Sequence, residues 1–438
     1  MNRGKVSCYL ILLFLHSLAF TQQLLTKQEA IQLVLAQNFD IVQAEQSALI
    51  DKNNTSILNS RYLPTLQGTG NIVFNRDNLE AQVQDTLRTL NNARSDRSTA
   101  TISLNLLVFD GFNRLYLLKQ NQVNYSIAQL NAKATLEVVI MELFNSYYEI
   151  ARLQKTVESL ETTLEVSKER LTRTSYGFDF GQNTKLDVSN AEVDVNTDSI
   201  NLLNAKQLLA NANRNLNFLL SRDANTAFDV DTTLEFRTIE TRENFLRQVE
   251  ESNTQVLLAR SGIKSSEYAS KITSSRFLPT LALNGDYNYV NANNNRAAFA
   301  LSQTSSGFSV GATLSWNIFD GGGTYVAYQN ARVNEQIQET SLEQITQQSM
   351  LNFENAWSDY QNRLFVVQAQ ENSLETSRQN FIRTQERYRL GQVTSLDFRT
   401  AQTNLLQAEI NLVEAKYTAK MAELNIFQLA GRIQEANF

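Results

Sequence analysis

Residues 308–321 read FSVGATLSWNIFDG. Phe308, Val310, Ala312, Leu314, Trp316 and Ile318 share one parity, and Ser309, Gly311, Thr313, Ser315 and Asn317 the other. A period of two puts these sets on opposite faces of a strand, one oily and one wet. About eleven residues is the length that a tilted strand needs to cross a bilayer, and the wet face holds only small neutral polar groups, as the lining of a water-filled barrel does. A half-buried strand of a soluble sheet shares this pattern, so a single copy does not decide between them. The chain carries the device twice.

Residues 61–75, RYLPTLQGTGNIVFN, match residues 276–290, RFLPTLALNGDYNYV, around Pro64 and Pro279, the only two prolines of the chain. Each proline marks a change from helix to strand, where a fixed φ and a missing donor do least harm. Strands follow with Leu66, Gly68, Gly70, Ile72 and Phe74 on one face, and with Leu281, Leu283, Gly285, Tyr287 and Tyr289 in the second copy. Asp110-Gly111 after a strand at 99–109 is matched by Asp320-Gly321, and Leu216-Asn217 by Leu424-Asn425, so the landmarks recur at spacings of 208 to 215 residues. Motif, proline and glycine turn recurring together establish an internal duplication. The polar stretch 76–98 reads as a long loop or a loop with a short helix, and 291–307 as a loop, each joining a pair of strands.

Arg3 and Lys5 precede a hydrophobic run from Tyr9 to Phe20, and Ala19 with Thr21 forms a small-x-small site before Gln22, the order of a signal peptide. Its removal takes away Cys8 and His16, the only cysteine and the only histidine. The mature chain then has no disulfide, no thiolate or imidazole catalyst and no histidine or thiolate metal site. Loss of Arg3 and Lys5 from 39 basic residues leaves 37 against 45 acidic, a net charge of about −8 that argues against a nucleic-acid partner. No stretch after the signal reaches eighteen continuous apolar residues, which leaves strands as the route into a membrane.

Between the strand pairs the sequence is helical. A helix is expected from Leu25 to about Ser60, opened near Thr26, with Asn38 and Asn53 weakening it without ending it. From about Arg114 to Thr174 there is neither proline nor glycine, which predicts a rod of about 90 Å, and Val157, Leu160, Leu164, Ser167 and Leu171 form a heptad-like stripe along it. The turn at Tyr176 to Asp187, with Gly177 and Gly181, ends the rod, and a helix returns from Thr184 to Leu220. The second half repeats this: a helix from Thr238 to Ser275, a rod from Tyr325 to Arg389, the turn YRLGQVTSLD at 388–397, and a return from Ser395 to Ala430. The organisation is residues 1–21 signal, 22–221 first repeat, 222–237 crossover, 238–431 second repeat and 432–438 tail. Four strands cannot close around water, and in hydrocarbon their edges would leave backbone groups unpaired. Several copies must therefore share one barrel; three would give twelve strands.

The doubled order of LPxL, strand pair, Asp-Gly, long helix, glycine turn and Leu-Asp resembles the TolC-like outer membrane efflux family over essentially the whole mature chain. The resemblance implies a fold that is mainly α with a transmembrane β-barrel: a homotrimer with a twelve-stranded barrel, four strands per chain, fused to a long α-helical barrel. It implies a passive conduit from periplasm to exterior, completed by a periplasmic adaptor and an inner-membrane pump of RND, ABC or MFS type, with no cofactor and no enzymatic activity. It places Tyr388, Arg389, Leu390, Gly391, Gln392, Val393 and Thr394 at one adaptor-docking tip and Tyr176, Gly177, Gly181 and Gln182 at the other. Asp187 and Asp397 would sit at the periplasmic aperture, Asp397 three times around the axis. Thr400 stands where family channels often carry a second acid, Asn190 at the analogous first-half site, and Val393 where a latching arginine would pair with Tyr388. Helix-capping explains both aspartates equally well. Phe109, Tyr287, Tyr289, Trp316 and Phe319 are candidates for aromatic girdles at the lipid boundaries. The competing reading is a structural coiled-coil stalk whose strands do not cross a membrane.

Overall fold

The computed structural model describes residues 23–83, 86–237, 239–296 and 298–435, so the expected signal peptide lies outside the described residues. The first repeat runs β1 (Gln23–Leu25), α1 (Lys27–Gln37), α2 (Phe39–Asn54), β2 (Thr65–Val83), β3 (Thr86–Asp110), α3 (Asn113–Asp179) and α4 (Lys185–Leu219). After the connecting strand β4 (Phe228–Val230), the second repeats the order without the short first strand: α5 (Arg242–Ser252), α6 (Thr254–Ser274), β5 (Thr280–Asn293), β6 (Ser302–Ser315), α7 (Gly323–Arg389) and α8 (Ser395–Leu429).

The four long strands form one antiparallel sheet in the order β2-β3-β5-β6, with Pro64 and Pro279 each directly before the first residue of a strand. Directly opposed residues share a face. Gly68, Ile102, Tyr287 and Phe308 therefore form one row of the apolar side, and Thr69, Thr101, Asn288 and Gly307 one row of the polar side. On the polar side Thr101 Oγ1 donates to Asn288 Oδ1 at 2.8 Å. Phe74, Phe308 and Val310 are largely solvent-exposed on the apolar side, as is expected of a surface that faces hydrocarbon.

Two expectations about this sheet are corrected. Residues 76–98 are no loop: β2 and β3 continue as a ribbon, kinked where the register shifts between Asp77 and Leu79 and where Asn92 takes a φ of 59°. Alternation is absent there because neither face of a solvated ribbon needs to be oily. Likewise β5 extends to Asn293 and β6 starts at Ser302, so the second connection is shorter than 291–307. At the other end β6 stops at Ser315, although the alternation runs on to Ile318. Ser315 pairs with Thr280, and the next partner would be Pro279, which has no N–H to give. Trp316 instead donates its indole N–H to the Phe277 carbonyl at 3.1 Å.

The rods α3 and α7 have 67 residues each, about 100 Å at 1.5 Å per residue. The returning helices α4 and α8 have 35 and reach about halfway back. The remaining length is filled by α2 and α6, and here a third correction applies. Asn38 ends α1 and starts α2, so no single helix spans 25–60. Its side-chain oxygen accepts from the backbone N–H of Asp40 and Ile41, and its amide donates to the carbonyl of Leu219, the last residue of α4, at 3.0 Å. Asn253 repeats the device between α5 and α6: it accepts from Gln255 and Val256 and donates to the carbonyl of Leu429, the last residue of α8, at 2.8 Å. One asparagine thus caps the start of one helix and the end of another, joining α2 to α4 and α6 to α8 as broken rods beside α3 and α7.

At the level of these breaks lies the main core, where Leu143, Phe144, Tyr147 and Ile150 of α3 meet Phe245 of α5, Phe353 of α7 and Leu424 and Ile426 of α8. The Tyr147 hydroxyl donates to the Leu25 carbonyl at 2.7 Å and accepts from the Asp231 N–H at 2.9 Å, pinning β1 and the crossover to the rods. Burial pushes its pKa up to about 12, so it stays a neutral bridge.

Candidate functional site

Both rods end in the same glycine geometry. Gly181 and Gly391 have φ of +71° and +72°, with no atom near the place of a Cβ, so backbone conformation alone demands glycine there. The N–H of the next residue bonds back over the last turn, Gln182 to the Gly177 carbonyl at 2.6 Å and Gln392 to the Arg387 carbonyl at 2.9 Å, closing a Schellman-type cap. Gly177, expected in the turn, is instead helical within α3. Its requirement is steric: a Cβ would fall 2.2 Å from the amide nitrogen of Asn183, which donates to the Thr174 carbonyl.

The helices that leave the turns start with paired caps. Thr184 and Asp187, and Thr394 and Asp397, form capping boxes in which hydroxyl and carboxylate exchange bonds with each other's backbone N–H at 2.9 to 3.2 Å. The threonine hydroxyl bond, then the backbone bond, holds each carboxyl below the usual aspartate range, so both are charged, Asp397 exposed and Asp187 half-buried. Thr400 lies one turn further along α8, with its hydroxyl donated to the Leu396 carbonyl. Arg389 ends α7 and Leu390 caps it, with Leu390 exposed.

The two tips touch. The Tyr388 ring stacks on Phe398 at 4.9 Å, its hydroxyl lies 3.4 Å from Thr174 Oγ1, and the Arg173 guanidinium sits over its face. Arg173 also donates to the Arg389 carbonyl at 2.6 Å. Between the tips is a cleft of about 590 Å³ lined by Tyr176, Gln182, Asp187, Gly391, Val393 and Thr394, among others. The structure therefore brings the two nominated tips together, with Asp187 in the cleft wall. Of the aromatic candidates, Tyr287 and Tyr289 lie on the apolar face of β5, whereas Phe109, Trp316 and Phe319 lie at the helical end of the sheet.

Two features escaped the sequence reading. Phe180, Leu186 and Leu396 are exposed apolar side chains at the tips, lost among helix residues in the pattern. Just inside the tips is a buried ionic network. Arg399 of α8 grips Asp198 of α4 through two bonds of 2.7 Å, and Asp198 accepts from Ser167 of α3 at 2.6 Å. Arg170 of α3 pairs with Asp194 of α4 and donates to the Ser395 carbonyl. The i,i+4 spacing of Asp194 and Asp198 was the available signal.

A model of the family described as "Outer membrane efflux protein" matches residues 30–222 and 245–432, one match for each repeat. This chain belongs to the outer membrane efflux protein family. Among curated members, the outer membrane protein TolC of Vibrio cholerae is 23% identical over 305 residues, 69% of each chain. The outer membrane efflux protein BepC of Brucella suis is 22% identical over 407 residues, covering 88% of this chain and 80% of that one. The CmeC outer membrane channel of Campylobacter jejuni superposes with a TM-score of 0.77 over 93% of this chain and 85% of its own, at 15% identity. The efflux-family fold of a helical barrel joined to a β-barrel is thus the fold of this protein, and its broad role is that of an outer-membrane efflux channel component.

Proposed function

We propose that three copies close one twelve-stranded barrel in the outer membrane and one helical tunnel in the periplasm, forming a passive conduit that docks a periplasmic adaptor and an inner-membrane pump at the tips. One observation carries this reading: a four-stranded sheet with an apolar and a polar face, free along both β2 and β6, continues directly into rods of about 100 Å. Strand directions alternate through β2-β3-β5-β6, so β6 of one copy beside β2 of the next continues the antiparallel order around a ring. The tip residues from Tyr388 to Thr394 and from Tyr176 to Gln182 offer glycine turns with exposed apolar groups for adaptor contact. Asp397, ionised and exposed at a helix start, would present a ring of three carboxylates to the mouth and favour cations there.

The test is planar-bilayer conductance of the purified mature protein, with oligomer mass measured on the same sample. A trimer with discrete, cation-preferring openings that lose part of that preference in Asp397→Asn supports both conduit and aperture. A conducting trimer indifferent to the substitution removes Asp397 from the aperture. Folded protein that neither inserts nor conducts overturns the conduit in favour of a structural stalk.

A further inference from the structure

The outward end of the apolar face carries two opposed arginines that are held by no ion pair among the described residues. Arg76 of β2 stands directly opposite Arg94 of β3, one row beyond Phe74 and Asp96. Residues two apart on a strand share a face, so both arginines lie on the side of Ile72, Phe74 and Ile102, about 7 Å outward from the Phe74 row. Both are exposed. Neither makes a hydrogen bond or ion pair among the described residues, and Asp96, the adjacent carboxylate on that face, accepts from the Asn293 amide at 2.9 Å. Glu80, also on this face of β2, is four residues further out, about 13 Å away. Two like charges opposed across an antiparallel ladder repel each other, so this arrangement costs stability unless an anion lies between them.

We propose that Arg76 and Arg94 clamp the phosphate of an outer-leaflet lipid whose chains lie against the apolar rows below. This rests on the reading of that face as lipid-facing. Opposed side chains start about 5 Å apart, close enough for two guanidinium forks to share one phosphate. The position matches a headgroup: above the last aromatic of β2, beyond the rows that meet hydrocarbon, and at the end of the sheet remote from the helices. The ribbon supplies the height. β3 has no β5 partner before Asp96, so residues 86–95 extend about 34 Å along the strand past the end of β5, and Arg94 has no β5 residue beside it.

The test uses the full mature protein in phosphatidylcholine nanodiscs doped with phosphatidic acid, with bound lipid counted by native mass spectrometry, and conductance recorded in planar bilayers of the same lipids from the same purified protein. Replacing both residues, Arg76→Ala with Arg94→Ala, should weaken phosphatidic acid retention about 25-fold while conductance persists. The double lysine variant should recover only part of it, because a point charge cannot supply the fork. Arg88→Ala, on the opposite face of the same ribbon, should leave retention unchanged. Equal retention by wild type and the double alanine variant overturns the clamp, as does an equal loss in Arg88→Ala, which would mark general attraction to a basic ribbon. Wild-type protein that neither inserts nor conducts would instead overturn the membrane reading itself.

Discussion

Replacing Arg399 by alanine should loosen the tips far more than a surface substitution would. Its guanidinium holds Asp198 at 2.7 Å through two bonds, with side-chain exposures of 18% for Arg399 and 2% for Asp198. Removal leaves a buried carboxylate with Ser167 as its remaining hydrogen-bond donor. Breaking a buried pair by deleting one partner costs ~3–5 kcal/mol. The partial exposure of Arg399 lets water reach the vacated space, which selects the lower end, about 3 kcal/mol or a factor of ~150 in local opening. Amide hydrogen exchange across the first turns of α8 and the middle of α4 in the purified protein should accelerate by that order, with the core around Tyr147 unchanged. The apolar pair Arg399→Met with Asp198→Leu should return exchange to within about tenfold of wild type, since a buried ion pair is often no better than a well-packed hydrophobic one. An acceleration below about fivefold in Arg399→Ala would show that the network does not hold the three helices together.

Asn38→Ala and Asn253→Ala should each lower the thermal midpoint, through the loss of about 1–2 kcal/mol, because each removes a cap shared by two helices. Aspartate substitutions would keep the start of α2 or α6 capped but lose the bond to Leu219 or Leu429, and should fall between alanine and wild type. Acid should act at the tips: Asp187 and Asp397 have folded pKa values below their ordinary 3.8, so their stabilisation is complete above that value and is lost as pH falls through the lowered one. Exchange protection in the first turns of α4 and α8, corrected for intrinsic rates, should stay level from neutrality to about pH 4.5 and decline below the ordinary aspartate value. Protection level down to pH 2 would refute a capping role for the two carboxylates.

The duplication, the strand starts and the long rods were legible because each leaves a local mark: proline at 64 and 279, alternation after it, and some sixty residues free of helix breakers. The asparagine breaks were not, because asparagine is tolerated inside helices and the decisive partner of Asn38 lies 181 residues away. The ribbon at 76–98 was missed for a different reason: alternation reports an interface between oil and water, and a strand with water on both sides has none. At Ile318 the opposite error occurred, where a continuing pattern outran its hydrogen-bonding partner at Pro279. For the candidate site, the turn glycines and Leu-Asp pairs were visible, although the capping role of the aspartates is local and their place at an aperture is not. The Arg399 network joins residues 201 positions apart and left only the Asp194–Asp198 spacing as a trace.

The seam between β3 and β5 joins the two repeats inside one chain, and the free edges of β2 and β6 offer the same kind of antiparallel seam to another copy. In a closed ring the two kinds of seam alternate, and only one is tethered, by the crossover between Leu219 and Arg242. A tether turns an encounter into an intramolecular step at an effective concentration in the millimolar range. Half the seams between hairpins in such a ring would therefore form without dependence on protein concentration. In such a ring the pairing of one sheet with the next would be left to the sequence of the untethered edges, β2 and β6.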